Sequence, residues 1–319
     1  MKKIKFISKL SLIAFALFAT VSCSDDDEPA KQPETIAEIA IATPGFETLV
    51  AALDRAGLVE TLNSPGAYTV FAPTNTAFQA FLTANNFASL NAIPANVLKQ
   101  VLLNHVVAGK NLSTSLTTGY VNSLATYGDT DLNLSMFINT SGGVKINGVS
   151  NVTTADINAT NGVIHVVDAV IGLPTVVTFA TADPTFSTLV AALTRESSFT
   201  FVSTLSKTGS PAPFTVFAPT NAAFGSLLTE LGAANLAAIP TATLSATLNM
   251  HVVAGANVQS SSVTNNMAIT TLGGNITAKT TGGVTLTDAN NRVSNVVAAN
   301  VQASNGVIHA IDKVILPPL

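Results

Sequence analysis

All four histidines of this 319-residue chain fall in segments that occur twice: His105 and His251 in HVVAG, His165 and His309 in NGVIH. A histidine at such a position is the first candidate for a general base or a metal ligand. The spacing argues against both. His165 and Asp168, like His309 and Asp312, are three apart in segments that read as strands, so their side chains point to opposite faces and do not share a metal ion. His105 and His251 close the last turn of apolar helical faces, where an imidazole hydrogen-bonds free carbonyls or, when protonated, favours the helix dipole. All four are read as structural.

Other chemistry is equally thin. Asp129-x-Asp131-x-Asn133 opens like a calcium loop, but Leu134 replaces the glycine and Thr140 stands where a bidentate Glu belongs. The nucleophile elbow, the zinc-protease helix, the phosphate loop and the paired CxxC motif do not occur. The Thr-Asn pairs Thr74-Asn75 and Thr220-Asn221 read as helix caps rather than substrate ligands. No catalytic residue, metal or cofactor is expected.

Composition narrows the partners. The 14 Lys plus Arg stand against 18 Asp plus Glu, and only 10% of residues are charged, which excludes the basic footprint of a nucleic-acid binder. The single cysteine, Cys23, excludes an internal disulfide and a multi-thiolate metal site. Mean hydropathy is +0.45, yet no uninterrupted apolar stretch reaches the roughly 18 residues that span a bilayer.

The elements that carry these residues come in two copies. FETLVAALDR (46–55) returns as FSTLVAALTR (186–195), TVFAPTNTAF (69–78) as TVFAPTNAAF (215–224), then HVVAG and NGVIH follow in the same order. The offsets are 140, 146, 146 and 144, which places an insertion in the loop around Ser206 to Pro213. In each copy Thr43-Pro44 or Asp183-Pro184 reads as an N-cap with proline at the first helical position, followed by apolar residues at helical spacing. Tyr68 to Ala72 reads as a buried strand ended by Pro73, and a later helix starts near Pro94 and presents Leu98, Val101, Leu102 and His105. The remainder, with alternating β-branched residues between Gly, Asn and Thr, reads as hairpins. Helices followed by strands indicate an α+β fold.

TVFAPTNTAF, the Leu102 to His105 segment and NGVIHVVDAVIGLP (161–174), with their second copies, resemble the two signature motifs and the intervening His of a fasciclin-like domain. The resemblance covers nearly all of the chain beyond its first few dozen residues. It implies two tandem fasciclin-like domains, each a β-sheet wedge with a small helical cluster, used in extracellular adhesion and matrix binding. In animal members an Asp-Ile dipeptide just before the NGVIH motif is linked to integrin binding. Asp156-Ile157 occupies that place and is a candidate ligand contact; the second copy has Asn300-Val301.

The N-terminus resembles a bacterial lipoprotein. Lys2, Lys3, Lys5 and Lys9 precede the apolar run Leu12 to Ala19, and Cys23 follows Thr20-Val21-Ser22, with Thr20 where the usual pattern has an aliphatic residue. In that class Cys23 is lipidated after removal of residues 1–22, and the Cys-Ser-Asp-Asp-Asp-Glu start resembles the surface-export signal of Bacteroidetes lipoproteins. The expected organisation is a signal peptide over 1–22, an acidic disordered tether over 23–33, and domains over 34–173 and 174–319. Losing four lysines leaves 10 basic against 18 acidic side chains, a net charge of −8. The expected function is a lipid-anchored outer-membrane adhesion or binding protein, surface-exposed, with an extracellular protein or glycan as partner. The alternatives are a periplasm-facing enzyme with a His-centred site and a protein that captures a small ligand between its domains.

Overall fold

The computed structural model describes residues 34–318. The reading of residues 1–33 as signal, lipidated Cys23 and tether lies outside them. Residues 34 onward form one compact unit.

The first repeat begins with three short helices, α1 (Ile36–Ala42), α2 (Glu47–Arg55) and α3 (Val59–Asn63). Strand β1 (Tyr68–Pro73) follows, then α4 (Asn75–Ala84), α5 (Ala95–Leu103) and six further strands: β2 (Val106–Ala108), β3 (Gly119–Thr126), β4 (Asn133–Asn139), β5 (Lys145–Ile146), β6 (Ser150–Ala159) and β7 (Gly162–Val167). The second repeat runs through α6 (Val176–Ala182), α7 (Ser187–Leu193), α8 (Phe201–Leu205), β8 (Phe214–Pro219), α9 (Asn221–Glu230) and α10 (Thr241–Asn249). Its remaining strands are β9 (Val252–Ala254), β10 (Met267–Thr271), β11 (Gly274–Lys279), β12 (Thr285–Thr287), β13 (Val293–Ala303) and β14 (Gly306–Ile311). Each repeat is thus an α+β module with a seven-stranded sheet. The first sheet closes on itself, and the second is open in the order β10-β11-β12-β13-β14-β8-β9.

The hairpins are antiparallel, but the centre of each sheet is parallel: β1 runs beside β7, with Phe71 opposite His165, and β8 beside β14, with Phe217 opposite His309. Strands buried on both faces read as near-continuous apolar runs, as TVFAP does. Alternate residues of β1 serve two cores. Val70 and Ala72 join Ile36, Leu49, Phe78, Leu98 and Leu102 on the helical side, while Phe71 joins Val107, Met136, Ile138 and Val167 on the other. Each of these Val, Leu, Ile, Phe and Met side chains contributes roughly 1.5–3 kcal/mol when fully buried.

One helix start departs from the sequence reading. Thr43 closes α1 instead of capping α2, its hydroxyl donating to the Ile39 carbonyl at 2.6 Å. Helix α2 has no side-chain cap of its own; Asn75 supplies one from α4, its Oδ1 accepting from the Thr48 N–H at 2.9 Å. Asp183 does cap the 3-10 turn Pro184–Phe186, as the spacing suggests. The short helices α1 and α6 were not anticipated; both start on a threonine whose hydroxyl accepts from the N3 backbone.

The repeats share an interface. Phe137 of β4 belongs to the core of the second repeat, and Tyr120 of β3 packs edge-on against Phe179 of α6 at 5.5 Å. The Tyr120 hydroxyl donates to Asp183 at 3.0 Å; burial first, and the neighbouring carboxylate second, push its ionisation far up. The buried Gln302 N–H donates to the Ser135 hydroxyl at 3.0 Å. Among the described residues no single helix is long and apolar enough to cross a membrane.

Candidate functional site

The centre of each module is a polar brace built around the NGVIH histidine. At a bulge in β6 Asp156 takes a left-handed backbone (φ 64°), which turns its N–H onto His165 Nδ1 at 3.2 Å. With Nδ1 accepting, Nε2 carries the proton and donates to the Asn111 carbonyl at 3.0 Å. The Asp156 carboxylate accepts from the Ser113 N–H at 2.8 Å and its hydroxyl at 2.6 Å; the hydroxyl, then the N–H, hold the acid below its usual range. Thr69 completes the brace, donating to the Gly109 carbonyl at 2.7 Å and accepting from the Asn111 N–H at 2.8 Å. Together they pin loop 109–117 over the sheet.

The second repeat repeats the device with different chemistry. Asn300 (φ 61°) stands for Asp156, accepting from the Ser260 N–H at 2.8 Å and donating to its hydroxyl at 2.9 Å. His309 Nε2 donates to the Val258 carbonyl at 2.9 Å, and Thr215 bridges Ala256 and Val258. Since an amide does this work at 300, Asp156→Asn is expected to change stability by less than about 1 kcal/mol. Asp156→Ala should cost about 2 kcal/mol, from two lost hydrogen bonds and an alanine forced left-handed. Urea unfolding curves of the two variants check the difference.

His105 and His251 form a second kind of brace with the opposite tautomer. His105 Nδ1 donates to the Val101 carbonyl at 2.7 Å and Nε2 accepts from the Ile171 N–H at 2.8 Å. His251 does the same with Thr247 at 2.8 Å and Ile315 at 3.0 Å. Burial pushes both imidazoles down to about 4. They are neutral at pH 7, so the helix-dipole part of the sequence reading fails: the ring seals the helix end as a hydrogen-bond bridge, and a charge there is desolvated.

A third brace went unread in the sequence although its residue opens the NGVIH motif. Buried Asn161 accepts from the Ile36 N–H at 2.9 Å and donates to the carbonyls of Leu62 at 2.7 Å and Ser64 at 3.0 Å. Asn305 makes the same three bonds to Val176, Leu205 and Lys207. One amide therefore ties the first helix, the third helix and the last strand of each module; its recurrence was the available signal.

The other candidates separate in space or are engaged. His165 is buried, whereas Asp168 is exposed and spent on Asn151. Thr74 and Thr220 cap α4 and α9, and Asn221 accepts from Thr188 as Asn75 does from Thr48. Ile157 packs against the helical-side core, so of the Asp156-Ile157 pair only the partly exposed carboxylate faces outward, and Ser113 holds it. Asp129 and Asp131 are exposed in a turn, and Asn133 donates to the Ser123 carbonyl. Among the described residues no group of three or more His, Cys, Asp or Glu could hold a metal ion.

Two of the cavities among the described residues have polar groups in their walls. An open cleft of about 280 Å³ is lined by Lys99, Gln100, Thr126 and Asp129 of the first repeat and Ser304 of the second; Gln100 is already bonded to Thr126. A cavity of about 200 Å³ lies beneath loop 109–117.

The fold and these sites define a tandem pair of α+β modules whose recurring polar residues brace loops and helix ends. The chain belongs to the fasciclin family: the fasciclin domain matches residues 44–174 and 184–317. It is 45% identical over 139 residues to Protein sll1483 of Synechocystis, covering 43% of this chain and 72% of that protein. It is 37% identical over 140 residues to transforming growth factor-beta-induced protein ig-h3 of Sus scrofa, covering 44% and 19%. Human periostin is 32% identical over 123 residues, covering 39% and 14%. Among solved structures, a FAS1 domain pair from the insect cell adhesion molecule fasciclin I matches with a TM-score of 0.49 at 18% identity, covering 84% of this chain and 97% of that one.

Proposed function

We propose that this chain is a lipid-anchored adhesion or binding protein of the outer cell surface, engaging extracellular proteins or glycans through its paired fasciclin domains. The observation that carries the reading is that all four recurring histidines have both ring nitrogens committed to backbone groups. A general base or metal ligand needs a free nitrogen. What recurs is therefore scaffold, and a family that includes adhesion proteins supplies the function class. Acylation at Cys23 would anchor the chain, and two domains on one anchor would multiply weak contacts into avidity.

The test is to treat intact cells with a non-penetrating protease and blot for the second domain, beside a Cys23→Ala variant and a periplasmic control. Surface display predicts that the wild-type domain is shaved while the control survives, and that Cys23→Ala abolishes anchoring. Protection until the envelope is broken would overturn the surface reading and favour a periplasmic role.

A further inference from the structure

The two modules differ at the space beneath the braced loop. In the first repeat that space is a cavity of about 200 Å³ lined by Thr69, Phe71, Val107, Val121 and Ile138 of the strands and by Leu116 of the loop. The register identifies the matching positions: Gly119 pairs with Ile138, as Met267 pairs with Ala278. Met267 packs against the cluster of Phe217, Val253, Ile269 and Ala278, the counterparts of Phe71, Val107, Val121 and Ile138. Gly119 has no side chain to do this, and a Cβ added there would meet nothing within 4 Å. The second module thus adds a methionine side chain to this face, where the first has only the hydrogen of Gly119.

We infer that this cavity binds a small uncharged aromatic ring bearing one hydrogen-bonding substituent, of the phenol or indole class. The size fits, since a dry apolar cavity of about 150 Å³ takes benzene. No charged residue lines the cavity, so an ionised ligand would be desolvated without a partner. Of the polar lining groups, Thr69 stands beside Phe71 on β1, and Asn111, Ser115 and Thr117 belong to the loop. The Thr69 hydroxyl is saturated by Gly109 and by the Asn111 N–H and amide NH2, and the Ser115 hydroxyl donates to the Leu112 carbonyl but keeps its lone pairs, so the exposed hydroxyls of Ser115 and Thr117 are the groups placed to meet a ring hydroxyl or N–H. Loop 109–117 is held by Thr69, His165 and Asp156, so the mouth is already formed.

The test titrates the full chain with p-cresol, indole, benzoate and N-acetyl-tyrosinamide by ligand-observed NMR and calorimetry. Saturable binding of p-cresol or indole at one site is expected, with Kd on the order of 0.1–1 mM for a ligand of this size, and benzoate should bind at least about tenfold more weakly. Val121→Phe, which puts a ring into the cavity, should abolish binding with the circular dichroism spectrum unchanged; Leu116→Phe serves if that variant does not fold. Binding of the blocked tyrosine as tight as that of p-cresol identifies a ring carried on a peptide, and binding of the free rings alone a small molecule. Absence of saturation up to roughly 10 mM, equal binding of benzoate, or unchanged binding by a folded filled variant overturns the inference.

Discussion

Alanine at Gly162 or Gly306 is expected to unfold the module that carries it. A Cβ on Gly162 would lie 2.1 Å from the Tyr68 carbonyl oxygen, and one on Gly306 the same 2.1 Å from that of Phe214. Both obstacles are backbone of the adjacent parallel strand, so no rotamer change relieves the clash. Separating β1 from β7 would also pull Asn161 off the carbonyls of Leu62 and Ser64. The combined loss should exceed about 4 kcal/mol, the range reserved for broken buried networks and backbone strain. Gly142→Ala is the control: φ is +81° but nothing lies within 4 Å, so the cost should stay near 1–2 kcal/mol. Urea unfolding followed by circular dichroism separates the cases, and a Gly306→Ala protein with a wild-type midpoint would refute the strand contact.

Mild acid is the second large lever. The pKa of His105 and of His251 falls from an ordinary 6.5 to about 4 in the folded chain, with desolvation the leading cause. A group depressed by folding contributes stability above its unfolded pKa and loses it as pH falls toward the folded one. The window is therefore pH 6.5 down to 4, and each histidine accounts for roughly 3 kcal/mol across it. Burial lowers His309 as well. The carboxylates held low, Glu47, Asp156 and Glu230, act in the same direction but only near and below the usual carboxylate range. Unfolding midpoints measured between pH 7 and 4.5 should fall steeply, while the His105 and His251 imidazole NMR signals should not titrate above pH 5. A flat stability profile over that interval would contradict the neutral bridge.

Local signals in the sequence carried the duplication, the α+β character, the Thr74 and Thr220 caps and the structural reading of the histidines. What escaped depends on partners distant in the chain. The parallel pairing of β1 with β7 joins residues nearly a hundred positions apart, and helix-then-strand order does not reveal it. Asn75 caps a helix 27 residues upstream, Ser113 meets Asp156 across 43 residues, and Asn161 reaches Ile36 across 125. The Thr43-Pro44 reading failed because α1 uses Thr43 to close rather than α2 to open. The contrast between Gly119 and Met267 lies in the segments where the copies diverge, so only strand register aligns it.

We propose that this chain works by binding at the cell surface, its histidines serving as scaffold. The most direct measurement is attachment under flow of cells carrying the wild-type chain, a deletion, or Cys23→Ala, on surfaces coated with matrix protein or with glycan. Attachment to at least one coating should fall on the order of tenfold without the displayed pair, and soluble wild-type chain should compete for it. Equal attachment by all three cell types, with the wild-type chain displayed, would contradict it.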